Sequence, residues 1–230
     1  MSSGRLERVL RDIENASRDA GRPCARLVAV GKTRDAAELA ALAVDWARAK
    51  PGVVPAFGEN YVQEAAAKIA ALEGAGIEWH LIGHLQSNKA TQAAALFDWV
   101  QSVDRLKLVD ALAAARPADR APLSVLVQVN IDDEDSKHGC APGDVPALAD
   151  AIAARPRLAL RGLMAIPAPR PDADARRAAF VAMRGLFDTL ALRHPGVDTL
   201  SMGMSADFTE AIAEGATMVR VGTALFGART

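Results

Sequence analysis

Apolar residues along this chain follow two alternating rhythms. Leu6, Val9, Leu10 and Ile13 stand among Arg and Glu at the three-and-four spacing of an amphipathic helix, which lays one stripe against a larger body. Ala25 to Val30 then forms a short apolar run ending at Gly31-Lys32-Thr33, and Asp35 starts an Ala- and Leu-rich helical stretch. The same strand, loop and helix sequence recurs every 25 to 30 residues or so: Val53 to Phe57 before a helix from about Asn60, Glu78 to Ile82 before one from about Ser87, and Trp99 to Ser102 before one from Asp104. Further strand-like runs are Ser124 to Asn130, Leu158 to Ile166, Thr199 to Met202 and Met218 to Val221. Before the seventh run, Phe180, Met183, Phe187 and Leu190 share one helical face.

Eight such runs with helices between them imply parallel strands joined by right-handed crossovers. At roughly 29 residues per unit, a chain of 230 residues fits the lower end of the (β/α)8 range, which starts near about 200 residues. The expected fold is therefore a single α/β TIM barrel spanning residues 1–230, with an extra N-terminal helix. An open doubly wound sheet is the alternative, weakened because no G-x-G-x-x-G follows the first strand. Trp46 to Pro55 is long and irregular and leaves the start of the second strand open.

Composition narrows the function. Half the residues are hydrophobic and 24% charged, as in a globular protein. Lys plus Arg number 27 against 28 Asp plus Glu, and aromatics make up only 4%, so there is neither the basic field nor the stacking platform of a general nucleic-acid binder. Cys24 and Cys140 stand apart with no C-x-x-C, reading as reduced thiols rather than a disulfide or zinc framework. The first 22 residues carry charges throughout and no long apolar run follows, so a cytoplasmic protein without membrane contact is expected.

In a barrel of this kind the chemistry lies at the C-terminal ends of the strands. That position selects Lys32, Glu59 and Asn60, His80 to His84, Gln101 and Ser102, Asn130 and Asp132, Met164 to Pro167, Ser201 to Ser205, and Arg220 to Thr223. An amine leaving a buried strand is partly desolvated, which favours the neutral nucleophile and Schiff-base chemistry; a lysine snorkelling to solvent is the plain alternative. The seventh and eighth loops, with Ser201, Gly203, Ser205, Gly222 and Thr223, suit a phosphate held on backbone N–H groups. Lysine and phosphate together indicate either a sugar phosphate or pyridoxal 5'-phosphate (PLP). Arg220 alternates with Val219 and Val221 and so faces the barrel interior, either toward a pyridine nitrogen or onto a buried carboxylate.

The runs LVAVGKT (27–33), FGENYVQE (57–64), WHLIGHLQSNK (79–89), RGLMAI (161–166), LSMGMS (200–205) and MVRVGTALFG (218–227) resemble the pyridoxal phosphate homeostasis protein family, in its order and over nearly the whole chain. The resemblance implies a barrel similar to the N-terminal domain of alanine racemase, with PLP bound to Lys32. It further implies Asn60 beside the cofactor, Met164 against the ring, Ser201, Ser205, Gly222 and Thr223 on the phosphate, and Arg220 at the pyridine nitrogen. It also implies a carrier or buffer in vitamin B6 homeostasis without a catalytic residue, serving PLP-dependent apoenzymes; an isolated barrel with its N-terminal helix is expected to be a monomer. An arginine at the pyridine nitrogen fits that role, since it keeps the ring a weak electron sink. A PLP-dependent amino-acid racemase ranks second, because alanine racemase draws a base from an added domain for which this chain has no residues. A Schiff-base aldolase acting on sugar phosphates ranks third and leaves Arg220 unexplained.

His80 and His84 flank a strand end rather than one helix face, so no metal pair is expected. Asp132 to Asp135 lacks cation-loop spacing and reads as a solvated acidic loop. Lys137 and His138 follow it on the active face.

Overall fold

The period-two and period-3.6 segments close into a barrel in the computed structural model, which describes residues 3–132, 138–168 and 172–227. Its strands are β1 (Arg26–Val30), β2 (Ala56–Glu59), β3 (Glu78–Leu81), β4 (Trp99–Val103), β5 (Leu123–Gln128), β6 (Leu158–Met164), β7 (Thr199–Met204) and β8 (Met218–Val221). All pair in parallel in sequence order, and β8 returns to β1 with Val28 opposite Arg220. Closure leaves no strand edge to satisfy.

The helices are α1 (Ser3–Asp19), α2 (Ala36–Ala49), α3 (Val62–Ala71), α4 (Ala90–Leu96), α5 (Leu106–Ala115), α6 (Val145–Ala153), α7 (Ala173–Arg193), α8 (Phe208–Ala213) and the single turn α9 (Thr223–Phe226). The extra helix α1 buries Leu6, Val9 and Ile13 and lies against α2, α8 and α9, over the seam where β8 meets β1. The apolar face read in α7 is the buried one. Among the described residues no helix is long and apolar enough to cross a membrane.

Strand alternation makes two cores. Outward-facing residues such as Val219 and Val221 join the large core under the helices, while Val28, Ala56, Trp99, Leu126, Met164 and Met218 fill the barrel interior. One boundary differs from the expectation: β2 starts at Ala56, and Val53 and Val54 are half exposed. Pro51 and Gly52, the latter at φ +82°, turn the chain there, so the apolar pair belongs to the approach and not to the ladder. At Gly162, φ is +144°, and a Cβ would lie 1.9 Å from the Thr199 carbonyl oxygen, so only glycine lets β6 and β7 meet.

Candidate functional site at the barrel mouth

Lys32 lies two residues past the end of β1, in a turn, and its side chain is exposed. The partial burial expected of this amine is not found, because the chain has already left the strand before the lysine occurs. Its backbone is held instead. The carbonyl of Gly31 accepts from Lys68 Nζ at 2.8 Å, and the N–H of Thr33 donates to Glu64 Oε1 at 2.8 Å, so the peptide groups on both sides of Lys32 are tied to α3. Thr33 adopts φ +66°, a left-handed conformation rare for a β-branched residue, and the bond to Glu64 holds it there. Gly31 has no room for a side chain, since a Cβ would come within 2.6 Å of Glu59 Oε1.

Lys68 is the hub of this array. Buried to 7% side-chain exposure, it also donates to Glu59 Oε1 at 2.9 Å and Glu64 Oε1 at 2.7 Å. Glu59 is fully buried and its second oxygen has no partner. Burial pushes its carboxyl up to about 7, against the opposing pull of Lys68. Glu59 therefore stands behind β2, between sheet and helices, and not in the mouth where position alone placed it. The functional weight of Lys68 was missed from sequence; the available signal was a lone lysine four residues after Glu64 on the buried side of an Ala-rich helix.

Across the mouth, the Ser205 hydroxyl accepts from the backbone N–H groups of Gly222 at 3.3 Å and Ala224 at 3.5 Å. A Cβ on Gly222 would lie 3.3 Å from that of Val30, so β1 and the last loop meet closely. Lys32, Gly222 and Thr223 consequently line one small depression together with Arg34 and Phe226. Arg34 secures its outer wall by stacking 5.5 Å from the Phe226 ring and donating to the Gly227 carbonyl at 3.0 Å. Asn60 lies at the end of β2 in a neighbouring cavity of about 410 Å³, with its Oδ1 buried and unpartnered. Met164 is fully buried in the interior beneath the mouth.

Arg220 faces inward, as its alternation requires, and is 3% exposed. Its partners are the Ser201 hydroxyl at 2.7 Å and the Ala165 carbonyl at 2.8 Å. The buried-carboxylate alternative is not what is found: no ion pair to Arg220 occurs among the described residues. Burial pulls the guanidinium down to about 10, and Asp207 works in the opposite direction. Ser201 is placed unlike the other expected phosphate residues. It is fully buried, and its hydroxyl is spent between Arg220 and Gln101 Oε1, the latter at 2.7 Å, rather than turned to the mouth.

His80 and His84 do not meet. His80 is buried inside the barrel, whereas His84 stacks on His138 at 3.8 Å between ring centroids, with Asp104 beside it. His84, Asp104 and His138 each bring one potential ligand atom within 4.8 Å of the other two, and Arg105 donates to Asp104 at 2.5 Å. Asp132 caps the Ala168 N–H, while the expectations for Asp133, Glu134, Asp135 and Lys137 fall outside the described residues.

Comparison with known proteins agrees with the barrel fold. The family model for the alanine racemase N-terminal domain matches residues 5–230. The chain is 50% identical over 226 residues to the pyridoxal phosphate homeostasis protein of Pseudomonas aeruginosa, covering 97% of this chain and 94% of that one. It is 48% identical over 206 residues to the protein of the same name in Escherichia coli K12, covering 88% and 85%. Among solved structures it is similar to PipY of Synechococcus elongatus with PLP bound, at 34% identity and a TM-score of 0.80 over 99% of this chain and all of that one. Alanine racemase of Corynebacterium glutamicum, at 21% identity and a TM-score of 0.65 over 96% of this chain and 62% of that one, shares the fold. With a family model over almost its full length and relatives near half-identical across it, the chain belongs to the pyridoxal phosphate homeostasis protein family, within the alanine racemase N-terminal-domain group.

Proposed function

We propose that this protein binds PLP as a Schiff base on Lys32 and acts as an intracellular carrier or buffer of the cofactor, handing it to PLP-dependent apoenzymes as a monomer. The observation that carries the reading is the convergence of Lys32 with Gly222 and Thr223 in one depression, one strand away from a buried inward-facing arginine. That donor set fits an aldehyde bearing both a phosphate and a ring nitrogen. The PLP-bound state of PipY, a relative at 34% identity, supports the same assignment.

PLP supplies the aldehyde. Bound there, PLP would offer its aldehyde carbon to the Lys32 amine, with the carbonyl oxygen released as water. Ser205 and the N–H groups of Gly222 and Ala224, which meet at the Ser205 hydroxyl, would hold the phosphate, with Thr223 beside them. Asn60, whose amide oxygen lacks a partner, would border the cofactor, and the buried Met164 would stand beneath it. Arg220 would donate to the ring nitrogen and keep it unprotonated, which suits holding the cofactor more than stabilising a carbanion.

The test is the visible spectrum of the purified protein before and after borohydride, with peptide mapping of the reduced sample. A yellow protein bleached by borohydride with the adduct on Lys32, and no binding in Lys32→Ala, is the expected result. A colourless wild type left unmodified after incubation with PLP would overturn it. Exchange of an amino acid's α-proton in heavy water would turn the carrier into a racemase.

A further inference from the structure

Behind the mouth, the barrel interior holds an unbroken line of polar side chains. Arg220 donates to Ser201 Oγ at 2.7 Å, and Ser201 Oγ lies 2.7 Å from Gln101 Oε1. Gln101 Nε2 lies 2.9 Å from His80 Nδ1, and His80 Nε2 lies 2.5 Å from Glu78 Oε1. Arg26 closes the line by donating to the same Glu78 oxygen at 2.7 Å. His80, Gln101 and Ser201 are fully buried, whereas Arg26 and Glu78 retain 36% and 23% side-chain exposure near the N-terminal end of the strands. The line therefore runs from the cofactor end of the barrel to the opposite end.

Its two termini dictate its direction. A guanidinium can only donate, so Ser201 must accept from Arg220 and pass its own hydroxyl hydrogen to Gln101 Oε1. The Gln101 amide then presents its NH2 to His80 Nδ1, which must accept. His80 is left with its hydrogen on Nε2, directed at a carboxylate that can only accept. Reversing the Gln101 amide would set a lone pair of His80 against the Glu78 carboxylate and leave the Ser201 hydrogen without this acceptor. Every hydrogen bond from Arg220 to Glu78 thus points the same way, an arrangement in which each link strengthens the next. Trp99 stacks on His80 at 5.2 Å with a 14° angle between planes, and Arg161 lies over the Trp99 ring at 5.0 Å, which fixes the imidazole plane. Burial holds His80 below the ordinary histidine range, against the pull of Glu78, in keeping with a neutral ring.

We propose that Glu78, His80, Gln101 and Ser201 form a directed relay that positions the Arg220 guanidinium and keeps it a donor to the cofactor ring, making His80 and Gln101 positioning residues that never touch the cofactor. Burying this many polar groups is costly unless each is satisfied, and an apolar filling would serve a barrel core equally well. What the line provides is a carboxylate, itself paired with Arg26, coupled to a buried cation that has no carboxylate of its own. The inference rests on the PLP reading above, but the His80 tautomer of the free protein, its first readout, does not.

That measurement is long-range 1H–15N spectroscopy of the histidine side chains, with and without PLP, in the wild type and in Gln101→Met. The free wild type is expected to show His80 as the Nε2–H tautomer with Nδ1 accepting, and its Nδ1 resonance to move when PLP is added. In Gln101→Met that movement is lost and PLP affinity falls about ten-fold, as expected for a bond coupled to a charged group, while borohydride still fixes PLP on Lys32. Ser201→Ala, which cuts the line one link higher, is expected to lose the same response and serves if Gln101→Met does not fold. An Nδ1–H or doubly protonated His80 overturns the relay, as does a PLP response at His80 that survives either cut. A wild type with the expected tautomer but no PLP on Lys32 overturns the cofactor reading and, with it, the relay's role toward the ring.

Discussion

Glu59 shows how far a residue's neighbourhood sets its chemistry. As a carboxylate in the FGENYVQE run it looked like a mouth residue; in the fold it is sealed behind β2, with one oxygen on Lys68 and the other unpartnered. A carboxyl raised from 4.5 to about 7 in the folded state favours folding while protonated, so its contribution is present at low pH and is lost as pH climbs from about 4.5 through about 7. Glu59→Gln removes that titration. Urea denaturation of both proteins at pH 5 and pH 8 is expected to show the variant gaining on the wild type as pH rises; a difference that stays constant would mean that Glu59 is ionised throughout. The residue identities around Lys32 were legible in sequence, as were the inward direction of Arg220 and the glycine-bearing loops. The partners of Ser201 were not, because they stand on β4 and β8, 100 and 19 residues away.

At the scale of elements, α3 and the loop after β1 behave as one unit. Lys68 on α3 ties down Gly31, and Glu64, one turn earlier, ties down Thr33, so the helix that follows the second strand sets the pose of the lysine that follows the first. Lys68→Met is therefore expected to act twice. It strands the buried carboxylate of Glu59 and costs about 3 kcal/mol or more in chemical denaturation, the scale of breaking a buried pair. It also frees the Lys32 loop and slows borohydride-trappable attachment of PLP to Lys32. A variant as stable and as fast as the wild type would show that the array is dispensable. On the other side of the loop, the capping box of Asp35 and Glu38 starts α2 immediately, which limits how far the loop can relax. The Asp35 start was readable because a cap is a local signal. The α3 tie was not, since it depends on how two units of the repeat lie side by side.

For the whole molecule, closure of β8 onto β1 under α1 joins the first and last units into one body, and Trp46, Trp79 and Trp99 are all buried within it. A single cooperative domain is the expectation, checked by urea unfolding followed by tryptophan fluorescence and far-ultraviolet circular dichroism: the two curves should coincide, and separated transitions would show that part of the barrel unfolds independently. The sequence by itself determined the number and order of strands and helices, the amphipathic first helix, the lysine and glycine loops of the mouth, and the family. Those features are local, written in hydrophobic period, turn residues and contiguous motifs. Only the tertiary structure decided that Lys32 is held by its neighbouring peptides rather than by burial, that Ser201 serves Arg220 from inside, and that six polar side chains connect one end of the barrel to the other. Each of these depends on inward-facing or loop residues from separate strands reaching a common point, and a barrel brings such residues together through its closure and register, which no local stretch of sequence records.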